Sequence, residues 1–74
     1  MGKYMEKLTL LEKLEACYNS EVNFKIETFF DSGITIYYFV YPSMYPTLVE
    51  VYQGYSFEEG INLLHDKIME LKGS

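Results

Sequence analysis

The stretch "ITIYYFVYPSMYPTLVEVY" runs from Ile34 to Tyr52 and holds five of the chain's eight tyrosines. Its first half alternates, with Ile34, Ile36, Tyr38 and Val40 on one side and Thr35, Tyr37, Phe39 and Tyr41 on the other. A period of two is the signature of a β-strand with two different faces. Pro42 and Pro46 then interrupt the run, and proline cannot sit inside a central strand because it has no N–H to donate. "TLVEVYQ" resumes the strand pattern, Val49 and Val51 facing one way and Leu48, Glu50 and Tyr52 the other. Two strands joined by a proline-braced loop define the centre of the protein.

Upstream, "EVNFKIET" alternates Val22, Phe24 and Ile26 against Asn23, Lys25 and Glu27. "DSG" follows as a turn, with Gly33 suited to a positive φ. A three-residue loop, Asp31 to Gly33, would pair Phe30 with Ile34, Ile26 with Tyr38 and Phe24 with Val40. A slip of one residue would turn the apolar set to the other face, so the pattern rejects it.

Helical patterns flank the strands. In "YMEKLTLLEKLEACY", Tyr4, Leu8, Leu11, Leu14 and Tyr18 form one stripe with Leu10 and Cys17 on its flank, and Asn19-Ser20 ends it. Thr9 and Glu12 have capping-box spacing, which puts the start of the regular helix at Leu10. In "SFEEGINLLHDKIMEL", Phe57, Ile61, Leu64, Ile68 and Leu71 recur at helical steps behind a Ser56–Glu59 capping box. Gly60 inside this helix implies close approach to the sheet or to an aromatic ring, since glycine costs about 1 kcal/mol there relative to alanine. The order is α-β-β-β-α. The fold class is therefore α+β, a three-stranded antiparallel sheet with two helices on one face, in a single domain spanning residues 1–74.

Two helices on one face leave the other bare. The covered face takes Val22, Phe24, Ile26, Ile36, Tyr38, Val40, Val49 and Val51. Phe29, Tyr37, Phe39, Tyr41, Leu48 and Tyr52 are left outside, among Asn23, Lys25, Glu27, Thr35 and Glu50. Strand propensity and cross-strand pairing favour Tyr and Phe in any sheet. Three aromatics alternating on the outer side of one strand nevertheless make an apolar patch rimmed by charge, which marks a contact surface. Tyrosine suits it, because it buries a large ring and keeps a hydroxyl that tolerates water. Met44 and Tyr45, at the tip of the stiffened loop, offer a second contact at low ordering cost. The candidate partner-binding residues are Tyr37, Phe39, Tyr41, Met44, Tyr45, Leu48 and Tyr52.

Composition narrows the partner. The net charge is −5, with six lysines and no arginine. Arginine's fork is the favoured group for phosphates and base edges, so this balance argues against nucleic acid and against an anionic membrane. The expected partner is a protein. A chain this short buries only about 60% of its unfolded surface; self-association or an unusually aromatic core can make up the deficit, so the expected partner is either a second copy, as a homodimer, or a larger target protein. Cys17 is the lone cysteine and reads as a small buried apolar residue. Lys3, Glu6 and Lys7 interrupt any signal-peptide pattern, and the longest apolar run, Ile36 to Tyr41, is too short for a bilayer. The expected location is the cytoplasm.

The residues point away from an enzyme, a cofactor or a metal. His65-Asp66 are helix neighbours that point in different directions, and no serine or cysteine beside them completes a triad. Glu58 and Glu59 sit where a helix N-terminus favours acids. The glycines Gly33, Gly54 and Gly60 are dispersed and form no phosphate loop.

The α-β-β-β-α order resembles that of double-stranded-RNA-binding domains. That family carries a lysine cluster at the start of its last helix, where this chain has Ser56-Phe57-Glu58-Glu59, so the resemblance carries the topology and not the RNA function. In length, acidity and the Gly54-to-Glu59 approach to its last helix, the chain also resembles small acidic accessory proteins of bacteriophages, anti-CRISPR inhibitors among them. This second resemblance implies a non-enzymatic inhibitor or accessory factor that binds a host protein in the host cytoplasm. It also implies that acids such as Glu12, Glu15, Glu21, Glu27, Glu50, Glu58, Glu59 and Glu70 could mimic nucleic acid. The expected function is a protein-binding module that works through the aromatic sheet face; the alternative is a nucleic-acid module that stacks bases on the exposed aromatics.

Overall fold

In the computed structural model, which describes residues 8–73, the elements are α1 (Leu10–Tyr18), β1 (Phe24–Phe29), β2 (Gly33–Val40), β3 (Thr47–Gly54) and α2 (Phe57–Gly73). The strands form one antiparallel sheet in the order β1-β2-β3. Extents of 44 × 34 × 15 Å describe a thin slab with room for one sheet and one layer of helices. α2 lies on β2 and β3, and α1 lies along α2.

The first hairpin keeps the expected faces but not the expected pairing. Phe24 stands opposite Tyr38, Ile26 opposite Ile36 and Phe29 opposite Gly33, a slide of two residues from the pairing read in the sequence. The turn decides this. The Ser32 N–H donates to the Phe29 carbonyl at 3.1 Å, and Gly33 follows at φ +90°. A tight turn followed by a left-handed glycine is a standard three-residue hairpin loop, here Phe30-Asp31-Ser32. Because side chains alternate with period two, a two-residue slide leaves every face unchanged.

The second correction lies in β3. Ile36 pairs with Tyr52, whereas its neighbour Tyr37 pairs with Glu50, so Val51 is an extra residue at a β-bulge. Before the bulge Val49 faces the helices and Leu48 and Glu50 face outward, as the alternation implies. Beyond it the parity flips, and Tyr52 turns into the core. The expectation that Tyr52 faces outward is therefore wrong. Its hydroxyl accepts from the Ser56 N–H at 2.9 Å and lies 3.5 Å from Glu59 Oε1, while the Glu59 N–H donates to Ser56 Oγ at 3.1 Å. The Ser56–Glu59 capping box is thus closed through a tyrosine from the sheet.

Ile34, Ile36 and Tyr38 of the central strand pack with Tyr52, Leu64, Ile68 and Cys17 as the core, with Val22, Phe24, Ile26, Val40, Val49 and Val51 partly buried around it. Gly60 has the reason expected of it. A Cβ there would stand 2.7 Å from Ile36 Cδ1 and 2.8 Å from Tyr52 Cδ2. Gly60→Ala gains about 1 kcal/mol of helix propensity but overpacks the seam by about 1–3 kcal/mol. The expected net result is a loss of about 1 kcal/mol, read by thermal unfolding. A raised Tm would show slack in the seam.

Both helical stripes need correction. In α2, Ile61, Leu64 and Ile68 are buried, but the end residues Phe57 and Leu71 are exposed because the stripe overruns the sheet. In α1, the box between Thr9 and Glu12 forms and the helix starts at Leu10 as expected. Its inward side, however, is Leu10, Leu14 and Cys17, whereas Leu8, Leu11 and Tyr18 are exposed; Tyr4 lies outside the described residues. The two stripes are about equally apolar, and contact with α2 selects between them. Lys13 Nζ donates to Asn62 Oδ1 at 2.6 Å, and Lys72 Nζ donates to the Ser20 carbonyl at 2.7 Å. These two bonds clamp α1 alongside α2 with both helices running in the same direction.

Candidate protein-binding surface

No described element covers the outer side of the sheet, and its side chains fall into rows set by the pairing. One row reads Lys25–Tyr37–Glu50 and the next Glu27–Thr35–Gln53. A third reads Asn23–Phe39–Leu48, because the Phe39 N–H donates to the Asn23 carbonyl at 2.9 Å and extends the pairing past β1. Tyr37 and Phe39 lie on this side as expected, but each is half-buried. Their own neighbours flank them. Lys25 Nζ is 5.7 Å from the centre of the Tyr37 ring and 2.9 Å from Glu27 Oε2, and the Tyr37 hydroxyl lies 3.5 Å from Glu27 Oε1. The hydrogen bond and charge of Glu27 hold the Lys25 ammonium above its usual pKa.

One group of large exposed side chains lies at the end of the sheet where β2 leaves for β3. Met44 is 80% exposed and Tyr45 71%, and Tyr41 and Leu48 beside them are also exposed. The Asn23 amide donates to the Tyr41 hydroxyl at 3.0 Å, which orients that ring at the edge of the outer face. Of the seven candidate residues, the structure therefore gathers Tyr41, Met44, Tyr45 and Leu48 at one end and continues them into Phe39 and Tyr37. Tyr52 belongs to the core.

The opposite end of the sheet carries a second aromatic group that sequence reasoning largely missed. Phe29, Phe30, Tyr55 and Phe57 are all exposed there. A Cβ on Gly33 would come within 3.0 Å of Tyr55 Cε1, so this ring rests across the hairpin turn. The available signal was position: Phe30, Tyr55 and Phe57 all adjoin turn or cap residues, where a buried stripe ends.

Other chemistry is sparse. Cys17 is fully buried, and burial pushes its thiol pKa up, away from the reactive thiolate. His65 is half-buried beside an open groove of about 650 Å3 between the start of α1 and the first half of α2, which Lys13, Asn62 and Asp66 also line. Among the described residues, no three His, Cys, Asp or Glu side chains are grouped to hold a metal ion. No described helix is long and apolar enough to cross a membrane. The chain matches no protein-family model, no curated protein and no solved structure.

Proposed function

We propose that this protein is a non-enzymatic protein-binding module that engages a larger protein through the Tyr41–Leu48 end of its sheet. The observation that carries the reading is the exposure of Tyr41, Met44 and Tyr45 together on a connection braced by Pro42 and Pro46, with Leu48 exposed beside them in β3. Large apolar groups on a stiff loop can enter a partner's groove with little ordering cost. Methionine adapts to irregular surfaces, and tyrosine is a frequent interface anchor. Action as an inhibitor or accessory factor follows naturally, because such a module works by occluding the surface it binds. The net charge of −5 favours a basic surface on that partner.

The test compares the wild type with the Met44→Ser/Tyr45→Ser double variant as affinity baits, both verified as folded by circular dichroism. The expected result is a specific protein retained by the wild type and lost by the variant. Truncating each anchor should weaken binding by about 1–3 kcal/mol. Identical capture by both baits, or capture of nothing, would reject the reading.

A further inference from the structure

The outer sheet face has a charge pattern that matches its own. In the central row, Tyr37 has Lys25 on the β1 side and Glu50 on the β3 side. Consider a second copy laid face to face and related by a two-fold axis parallel to β2. The axis sets β1 of each copy over β3 of the other while keeping the rows in step. Lys25 then meets the partner copy's Glu50 twice, once from each side, and the two Tyr37 rings meet on the axis. In the neighbouring rows Glu27 meets Gln53, Phe39 meets Phe39, and Leu48 meets Asn23. No like charges oppose each other.

We propose that this face is covered by a second copy of the chain, packed sheet on sheet about a two-fold axis parallel to β2. The inference deepens the reading above: it assigns the flat face, Leu48 included, to self-association and leaves the exposed Tyr41–Tyr45 loop for the target. Three observations favour a second copy here. The face carries only Lys25, Glu27 and Glu50 as charges, while on the helices Glu12, Glu15, Glu58, Glu59, Asp66 and Glu70 outnumber Lys13, Lys67 and Lys72. The chain's net repulsion is therefore weakest where the copies would meet. Lys25 has three donors, so it can keep Glu27 at 2.9 Å and still accept a second carboxylate. The half-buried Tyr37 and Phe39 are already held by their neighbours and lose little freedom on contact. Sheets packed in this way sit about 10 Å apart, with strand directions within roughly 30°.

Three eight-residue-or-shorter strands make a small interface by the standards of stable dimers, so the association should be weak. Light scattering from micromolar to millimolar protein is therefore the first measurement, and a dimer appearing within that range is expected. Lys25→Glu and Glu50→Lys should each raise the dimer dissociation constant about tenfold or more, because each places like charges opposite one another twice. Mixing the two variants should restore association as a heterodimer, since all pairs become complementary again. Zero-length carbodiimide coupling of the wild type gives a check that needs no variant. Lys25 and Glu50 flank Tyr37 on one face and are close enough to couple within a copy as well, so the diagnostic product is a Lys25–Glu50 cross-link that joins a 15N-labelled copy to an unlabelled one in a mixed sample. A monomer at millimolar concentration overturns the proposal, and so does a dimer that yields no such cross-link or ignores both charge swaps. None of these results bears on the Met44/Tyr45 test, so the two readings fail separately.

Discussion

Leu64→Ala is expected to lower the unfolding free energy by about 2–5 kcal/mol. Leu64 has no exposed surface and lies in the middle of α2, inside the cluster that joins that helix to β2 and β3. Truncation removes its transfer free energy and opens a cavity that has little means of closing. The rigid central strand lies below the site, and α1 and α2 are clamped together by the Lys13–Asn62 and Lys72–Ser20 bonds. A domain of 74 residues has a stability of roughly 4–11 kcal/mol at about 0.05–0.15 kcal/mol per residue. The loss is therefore a large fraction of the total, and it reaches partial unfolding at room temperature only if the wild type lies at the weak end of that range. Urea titration reads the effect as a lower midpoint at an unchanged slope. A loss below about 1 kcal/mol would mean that Leu64 does not close the core.

Tyr52 should rank beside it. Tyr52→Ala is expected to cost about 3–5 kcal/mol, as for other large buried aromatic side chains. Tyr52→Phe isolates the hydroxyl. It leaves the Ser56 N–H without its 2.9 Å acceptor and Glu59 without a donor at the first turn of α2, a loss of about 1–3 kcal/mol. Hydrogen exchange at the Ser56 amide should accelerate in the same variant, which a simple packing role for the ring would not produce. Had β3 run without its bulge, Tyr52 would face solvent and both substitutions would fall within about ±0.5 kcal/mol. The pair of variants therefore tests the bulge as well as the cap.

Much of this fold is legible before any coordinates are seen. The capping box of Thr9 and Glu12 needs only local backbone, so the start of α1 is readable to the residue. The alternation in β2 gives its two faces correctly, and Gly33 takes the left-handed conformation that its turn requires. The pairing of β1 with β2 is less legible, because two registers that differ by two residues bury the same side chains. Only turn geometry separates them. The candidate surface shows the same division. Tyr41, Met44 and Tyr45 are exposed because prolines keep that connection out of the sheet, and Leu48 because it points outward from β3. Tyr52 looks outward by parity and is not.

What the sequence determined by itself is the order of elements, the cap of α1 and the single bare face of the sheet. Each of these follows from interactions between residues a few positions apart, or from a count of how many faces two helices can cover. Tertiary structure alone decided three further matters. It chose Leu10, Leu14 and Cys17 over Leu8, Leu11 and Tyr18 as the inward side of α1. It inserted Val51 as a bulge so that Tyr52 could fill the space beside Gly60 and cap α2. It also gathered Phe29, Phe30, Tyr55 and Phe57 at one end of the slab. In each case, residues far apart in the chain compete for the same volume or the same hydrogen-bonding group, and local periodicity does not record the outcome of that competition.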